Sequence, residues 1–191
     1  MRPVLWLLAT QGFLGAFDTL YYHEWKARLP ARNPGTGLEL RLHAARDFVY
    51  AIVFATLPWL AWRGAWAAVL AGLLLFEIVV TIFDFVAEDT VRRPFGGVLP
   101  GERATHTIMA VVYGAMLGHL VPVLVGWWAN PTGLAFEPAD GPPALRGLLT
   151  AMGLGVLLSG IRDLGASLGG PRSFFAWPWP NPRDSTGEAE P

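Results

Sequence analysis

The ionisable residues of this chain gather at recurring places. Asp18, His23 and Glu24 close a first apolar stretch, and His43, Arg46 and Asp47 open a second. Asp84, Glu88 and Asp89 close the third, Glu102 and His106 open the fourth, and Asp163 closes the fifth. If consecutive stretches run in alternate directions, all these groups fall at one end of the assembly. Ionisable groups in or beside a bilayer are costly to hold there, so a gathering drawn from every stretch is a site hypothesis by default. Imidazoles and carboxylates brought together from facing helices are the ligand chemistry of non-haem iron, manganese or zinc.

Spacing orders these groups. His43 and Asp47 are four apart, as are Glu102 and His106, so each pair shares a helix face. Glu77, Thr81, Asp84 and Glu88 form one stripe at helical period. Antiparallel register sets His23 level with His43 and Glu88 level with His106, and puts Asp18, Asp47 and Asp84 one layer deeper. The expected ligands are His23, His43, Asp47, Asp84, Glu88 and His106. Asp18, Glu24, Glu102 and Asp163 are expected beside them, orienting the imidazoles and holding their tautomers. Arg46, Arg92 and Arg103 would balance charge. Glu77 and His119 fall at similar depth nearer mid-membrane and make a candidate proton path. The bland alternative is a network of interfacial ion pairs between these acids and the nearby arginines, snorkelling to water.

The elements that position these residues follow from composition. Of 191 residues 53% are hydrophobic and only 15% charged, and the mean hydropathy is +0.39, too apolar for an ordinary soluble domain. A spanning helix needs about 20 mostly apolar residues. The candidates are 4–25, 42–62, 66–88, 104–128 and 144–167. The expected fold is therefore all-α: a polytopic integral membrane protein, a five-transmembrane-helix bundle forming one domain over 1–169. A Pro- and aromatic-rich cytoplasmic tail, 170–191, follows, with its end expected to be disordered. The first stretch is read as a retained helix rather than a signal peptide, because Gln11 and Asp18 interrupt it and no clear small-x-small cleavage site follows. Arg63-Gly64-Ala65 is expected to be a tight helical hairpin, and 130–143 an irregular surface loop. Small residues at four-residue spacing, Ala110, Gly114 and Gly118 in the fourth stretch and Gly147, Ala151, Gly155 and Ser159 in the fifth, are expected packing faces.

Eleven of the 14 Lys and Arg residues fall on the side that carries the polar cluster, leaving Arg2, Arg63 and Arg146 on the other. The positive-inside rule then places the N-terminus outside and the C-terminus in the cytoplasm. The expected location is the cell membrane, multi-pass, the inner membrane of a bacterium, an Arg-for-Lys usage typical of GC-rich genomes agreeing with this.

Composition also excludes. With no cysteine there is no disulfide, Cys-ligated zinc, iron–sulfur cluster or thiol redox chemistry. A net charge of −1 gives no electrostatic case for nucleic acid. The HxxxH and HxxHH clusters of membrane desaturases are absent, and Glu102-x-x-x-His106 is one residue longer than the ExxH of di-iron bundles. A single b-type haem between two histidines is a further option. The function expected is a membrane-embedded, metal-dependent oxidoreductase with a di-iron or dimanganese centre, acting on a lipid or quinone at the cytoplasmic side. Two alternatives stand beside it. One is a proton- or cation-coupled transporter or channel subunit using Glu77, Asp84 and Glu88. The other is a non-catalytic subunit of a membrane complex. Partners would be the bilayer, a lipid or quinone, and a second copy or a membrane complex.

Overall fold

The computed structural model describes residues 1–32 and 34–170. Helix α1 (Arg2–Phe17) runs directly into a π-helix (Asp18–Ala27), which Arg28 ends in the left-handed conformation. A short 3-10 turn (Leu29–Arg32) leads to α2 (Gly37–Thr56). Then come strand β1 (Leu60–Arg63), α3 (Ala65–Val91), α4 (Pro100–Trp128), strand β2 (Gly133–Phe136) and α5 (Pro143–Ser167). The architecture is an all-α bundle closed as a ring: α1 packs on α4, α4 on α3, α3 on α2, α2 on α5, and α5 on α1.

Three helices, α3, α4 and α5, are long and apolar enough to cross a membrane. Their outward positions are apolar, with Phe83, Val86, Val111 and Leu158 all 64% exposed or more. Inside the ring the pattern inverts, for Glu39, Asp84 and Glu102 are at 0%. An apolar circumference around a polar interior is consistent with a membrane location, since hydrocarbon tolerates the first and penalises unpaired polar groups.

The core divides along its length. Leu5, Leu8, Phe54, Leu57, Leu70 and Leu120 are almost fully buried and fill the end where α1 and α3 begin and α2 and α4 finish. The titratable residues fill the other end.

Several boundaries differ from expectation. Helix α2 begins a turn early, at Gly37, and stops at Thr56 rather than continuing to 62. Pro58 supplies the reason, because it has no N–H to continue the helical hydrogen bonds beyond Leu57. The link expected as a helical hairpin at 63–65 is preceded by a strand, β1, which pairs antiparallel with β2 from Leu60↔Phe136 to Arg63↔Gly133. Strand β2 takes up 133–136 of the loop expected at 130–143, and the rest of that loop up to α5 is irregular as expected. Pairing the two loops satisfies backbone groups that neither could satisfy alone. Gly64 (φ +56°) makes the turn into α3, and any Cβ there would collide with Thr132. The tail expected at 170–191 lies, from 171 onward, outside the described residues.

The small-residue faces also differ. Gly114, Gly118, Gly147 and Gly155 have open space where a Cβ would be. The close approach belongs to Gly153 and Gly160, seven apart, which meet the α2 main chain at Ala51, Ala55 and Ala44. Two helical turns separate them, so they lie on one stripe of α5, and Asp163 lies one turn further along it.

Candidate metal centre

Asp18 and His23 are five residues apart. On an α-helix that spacing separates side chains by about 140° around the axis. The π-helix closes i→i+5 bonds and so stacks residues five apart, a distortion that frequently accompanies functional sites. His23 Nε2 lies 3.2 Å from Asp18 Oδ2. From the first turns of α4, His106 brings its Nε2 to 3.2 Å from the same oxygen. One ligand atom from each of the three residues lies within 4.8 Å of the other two, and all three residues are buried. The structure thus holds a buried Asp/His/His group able to coordinate a metal ion. Two imidazoles and one carboxylate leave coordination positions open for substrate or water.

Each imidazole is backed by acids. Glu102 Oε1 stands 3.2 Å from His23 Nε2 and is itself gripped by Arg92 Nη1 at 2.7 Å. Glu88 Oε2 is 3.7 Å from His106 Nδ1, and Phe85 stacks on the His106 ring at 5.1 Å. His43 lies flat on His23, centroids 4.5 Å apart, with its Nε2 3.2 Å from Asp84 and its Nδ1 4.0 Å from Asp163. Arg46 holds Asp84 at 2.9 Å, and Arg162 holds Glu24 and Asp163 at 2.7 and 2.6 Å. Arg92, between α3 and α4, also bonds Glu39 through Nε at 2.8 Å. Burial opposes the charge on Arg92, but the bond to Glu39 and the charges of Glu39 and Glu102 outweigh it, so its pKa stands above the usual arginine value.

Acids nevertheless outnumber what these arginines satisfy. Asp18 Oδ1, Glu39 Oε2, Asp84 Oδ1 and Glu102 Oε2 are buried without a hydrogen-bond partner among the described residues. Buried carboxylate oxygens are costly unless a donor or cation meets them, so the group as it stands fits a bound cation.

The geometry sorts the expected residues. His23 and His106 meet directly, and Asp18, expected beside the ligands, is the third member of their group. His43 and Asp84 form the adjoining layer, Glu88 stands behind the His106 ring at its Nδ1, and Glu102 approaches the same His23 nitrogen that faces Asp18. Glu24 and Asp163 share Arg162 on the α5 side. Asp47 turns toward α5, where Ser159 donates to it, and is not one of the three. Glu77 is bonded by Tyr50 and Thr81 at 3.0 and 2.8 Å, with Arg46 at 3.6 Å. His119 is exposed on the outside of α4, and no ion pair joins it to Glu77. Sequence reasoning missed Glu39, although Glu39-x-x-x-His43 carries the same four-residue signal as Glu102 and His106. It also missed Tyr50, whose hydroxyl reaches Glu77 and accepts from Gln11 at 3.4 Å.

A cavity of about 530 Å3 adjoins the group between α1, α2 and α5. Asp18, His23 and His43 line it at the polar end, and Phe54, Met109 and Met152 at the apolar end. No protein-family model matches this chain, and no curated protein or solved structure is significantly similar to it.

Proposed function

We propose that this protein is a membrane-embedded metal-dependent oxidoreductase in which Asp18, His23 and His106 hold one iron or manganese ion. The single observation behind this is the buried convergence of those three side chains, both imidazoles meeting Asp18 Oδ2. One ion is favoured over the two first expected, because most of the remaining carboxylates already face arginines: Asp84 on Arg46, Glu39 and Glu102 on Arg92, Glu24 and Asp163 on Arg162. A haem fits less well. His23 and His43 lie face to face at 4.5 Å, and Asp18 stands between His23 and His106 where a porphyrin would pass.

The ion would supply redox and Lewis-acid chemistry at its open positions. The chain's own residues set its surroundings. Glu88, at the far nitrogen of His106, would orient that imidazole, and Glu102 would add negative charge beside the ligating nitrogen of His23. The arginines hold the neighbouring acids in place, and the helices around them limit access of water. A lipid or quinone is the substrate class that suits a site opening between apolar helices.

All five helices would cross the bilayer, α1 and α2 completing the ring begun by the three most apolar. Eleven of the 14 basic residues then lie on the cytoplasmic side, with the metal group. The transport alternative is disfavoured by the apolar end of the core. Beyond Glu77 the interior is closed by Leu5, Leu8, Leu70, Leu74 and Leu120, and among the described residues no buried acid, base or amide continues the path.

Elemental analysis of the detergent-purified protein tests the proposal. Near-stoichiometric iron or manganese, lost in Asp18→Ala, is expected. Absence of metal from wild-type protein, even after anaerobic loading with iron(II) or manganese(II), would overturn it.

A further inference from the structure

The cavity of about 530 Å3 beside the metal group has the size of a small-molecule site. Small residues make the room: Gly12, Gly15 and Ala16 on α1 face Gly155 and Ser159 on α5. Gly155 is exposed and a Cβ on it would meet nothing within 4 Å, so the cavity opens there between α1 and α5 to the outside of the bundle. The lining is graded, from apolar side chains at Phe54, Met109 and Met152 to ionisable ones at Asp18 and His23.

What the polar part offers a ligand can be worked out from its partners. Its cations are already engaged, Arg46 with Asp84 and Glu77, Arg162 with Glu24 and Asp163. Asp47 and Asp163 add negative charge to the same wall. A phosphate or carboxylate head would meet acids and no free cation. Two acceptors on the wall, Gln11 Oε1 and Asp18 Oδ1, lack any donor, and both residues are only 5% exposed. Buried acceptors of this kind select a ligand that brings O–H groups, because an analogue without them leaves the acceptors desolvated and unpaired.

We infer that this cavity takes an uncharged, hydroxyl-headed lipid with a single apolar chain, its head at Gln11 and Asp18 and its chain between α1 and α5. A quinol and a long-chain alcohol share that chemistry. The assignment deepens the function proposed above and rests on it for the reaction, but binding can be read without turnover.

Equilibrium binding of radiolabelled 1-dodecanol, decylubiquinol and dodecanoate to the full-length protein in detergent is the test, with metal content measured on the same samples. Saturable binding of dodecanol or decylubiquinol is expected, the tighter of the two identifying the head, with dodecanoate about tenfold weaker or worse. Gly155→Leu, which narrows the exposed mouth of the cavity, should weaken the favoured ligand about tenfold while leaving metal content and elution volume unchanged. Gln11→Leu should weaken it while sparing metal. Dodecanoate binding as well as dodecanol, or Gly155→Leu binding like wild type, would overturn the assignment. Saturable, Gly155-sensitive binding by a protein that holds no metal would support the cavity assignment and sink the metal centre instead.

Discussion

Arg92 and Glu102 meet at 2.7 Å with their side chains 3% and 0% exposed, and the same Glu102 oxygen lies 3.2 Å from His23. One guanidinium therefore joins the α3–α4 connection to an imidazole of the metal group, and its other arm reaches Glu39 at the start of α2. Removing it leaves two buried carboxylates without their cation. Arg92→Met should cost about 3–5 kcal/mol, the range for breaking one side of a buried ion pair. Arg103→Met, which breaks an exposed pair with Asp89, should cost less than about 1 kcal/mol. Denaturant titration in detergent micelles separates the two, and equal losses would refute the difference in burial.

Metal content should follow the three-residue group and not the whole cluster. Asp18→Ala and His106→Ala are expected to lose the ion, whereas Asp84→Asn keeps it, because Asp84 is engaged by Arg46 and His43. Glu88→Ala should weaken metal affinity about 10- to 100-fold, as a lost imidazole-orienting contact does, since Glu88 faces His106 Nδ1, the nitrogen turned away from Asp18. Circular dichroism on each variant checks that the helices persist. Loss of metal in Asp84→Asn would move the centre one layer deeper.

The contact of α5 with α2 gives a prediction about packing. A Cβ on Gly160 would stand 2.9 Å from Asp47 Cβ, and one on Gly153 would stand 3.2 Å from the main-chain nitrogen of Ala55. Gly153→Ala and Gly160→Ala should each destabilise the fold by about 1–3 kcal/mol through overpacking. Gly147→Ala should be neutral or gain up to about 1 kcal/mol from helix propensity, since nothing lies within 4 Å of its added methyl. Unfolding midpoints in the reverse order would mean that the four-residue ladder is the buried face after all.

Glu77 offers a discriminating measurement for transport. In proteoliposomes carrying a pH-sensitive dye, wild type and Glu77→Gln should acidify at the same rate as empty vesicles. A proton flux that Glu77→Gln abolishes would replace the enzyme proposal with a conduit through Tyr50 and Arg46.

Much of this arrangement was legible in the chain itself. The gathering of acids and histidines at one end follows from where each apolar stretch stops, and antiparallel register alone sets His23 opposite His43. Other features escaped for physical reasons. Nothing in Asp18–Ala27 marks a π-helix locally, so Asp18 and His23 were placed in different layers although they meet at 3.2 Å. Glu39 lay outside the apolar stretch, because a buried acid lowers the very hydropathy used to find the helix. The strand pairing joins loops about 70 residues apart, and neither loop alternates strongly enough to announce a strand. Helix α5 carries two glycine patterns, and only its neighbour decides which is buried.

The division of the core into a leucine-rich end and a titratable end has an energetic consequence. Moving one elementary charge through a membrane potential takes about 2.3 kcal/mol per 100 mV. With Leu5, Leu8, Leu70, Leu74 and Leu120 closing one half, protons exchanged at Asp18, His23 and His106 enter and leave by the same face. If the group turns over as proposed, its proton exchange would be electrically silent: the driving force would come from the substrates alone, and the rate should be the same in polarised and depolarised vesicles.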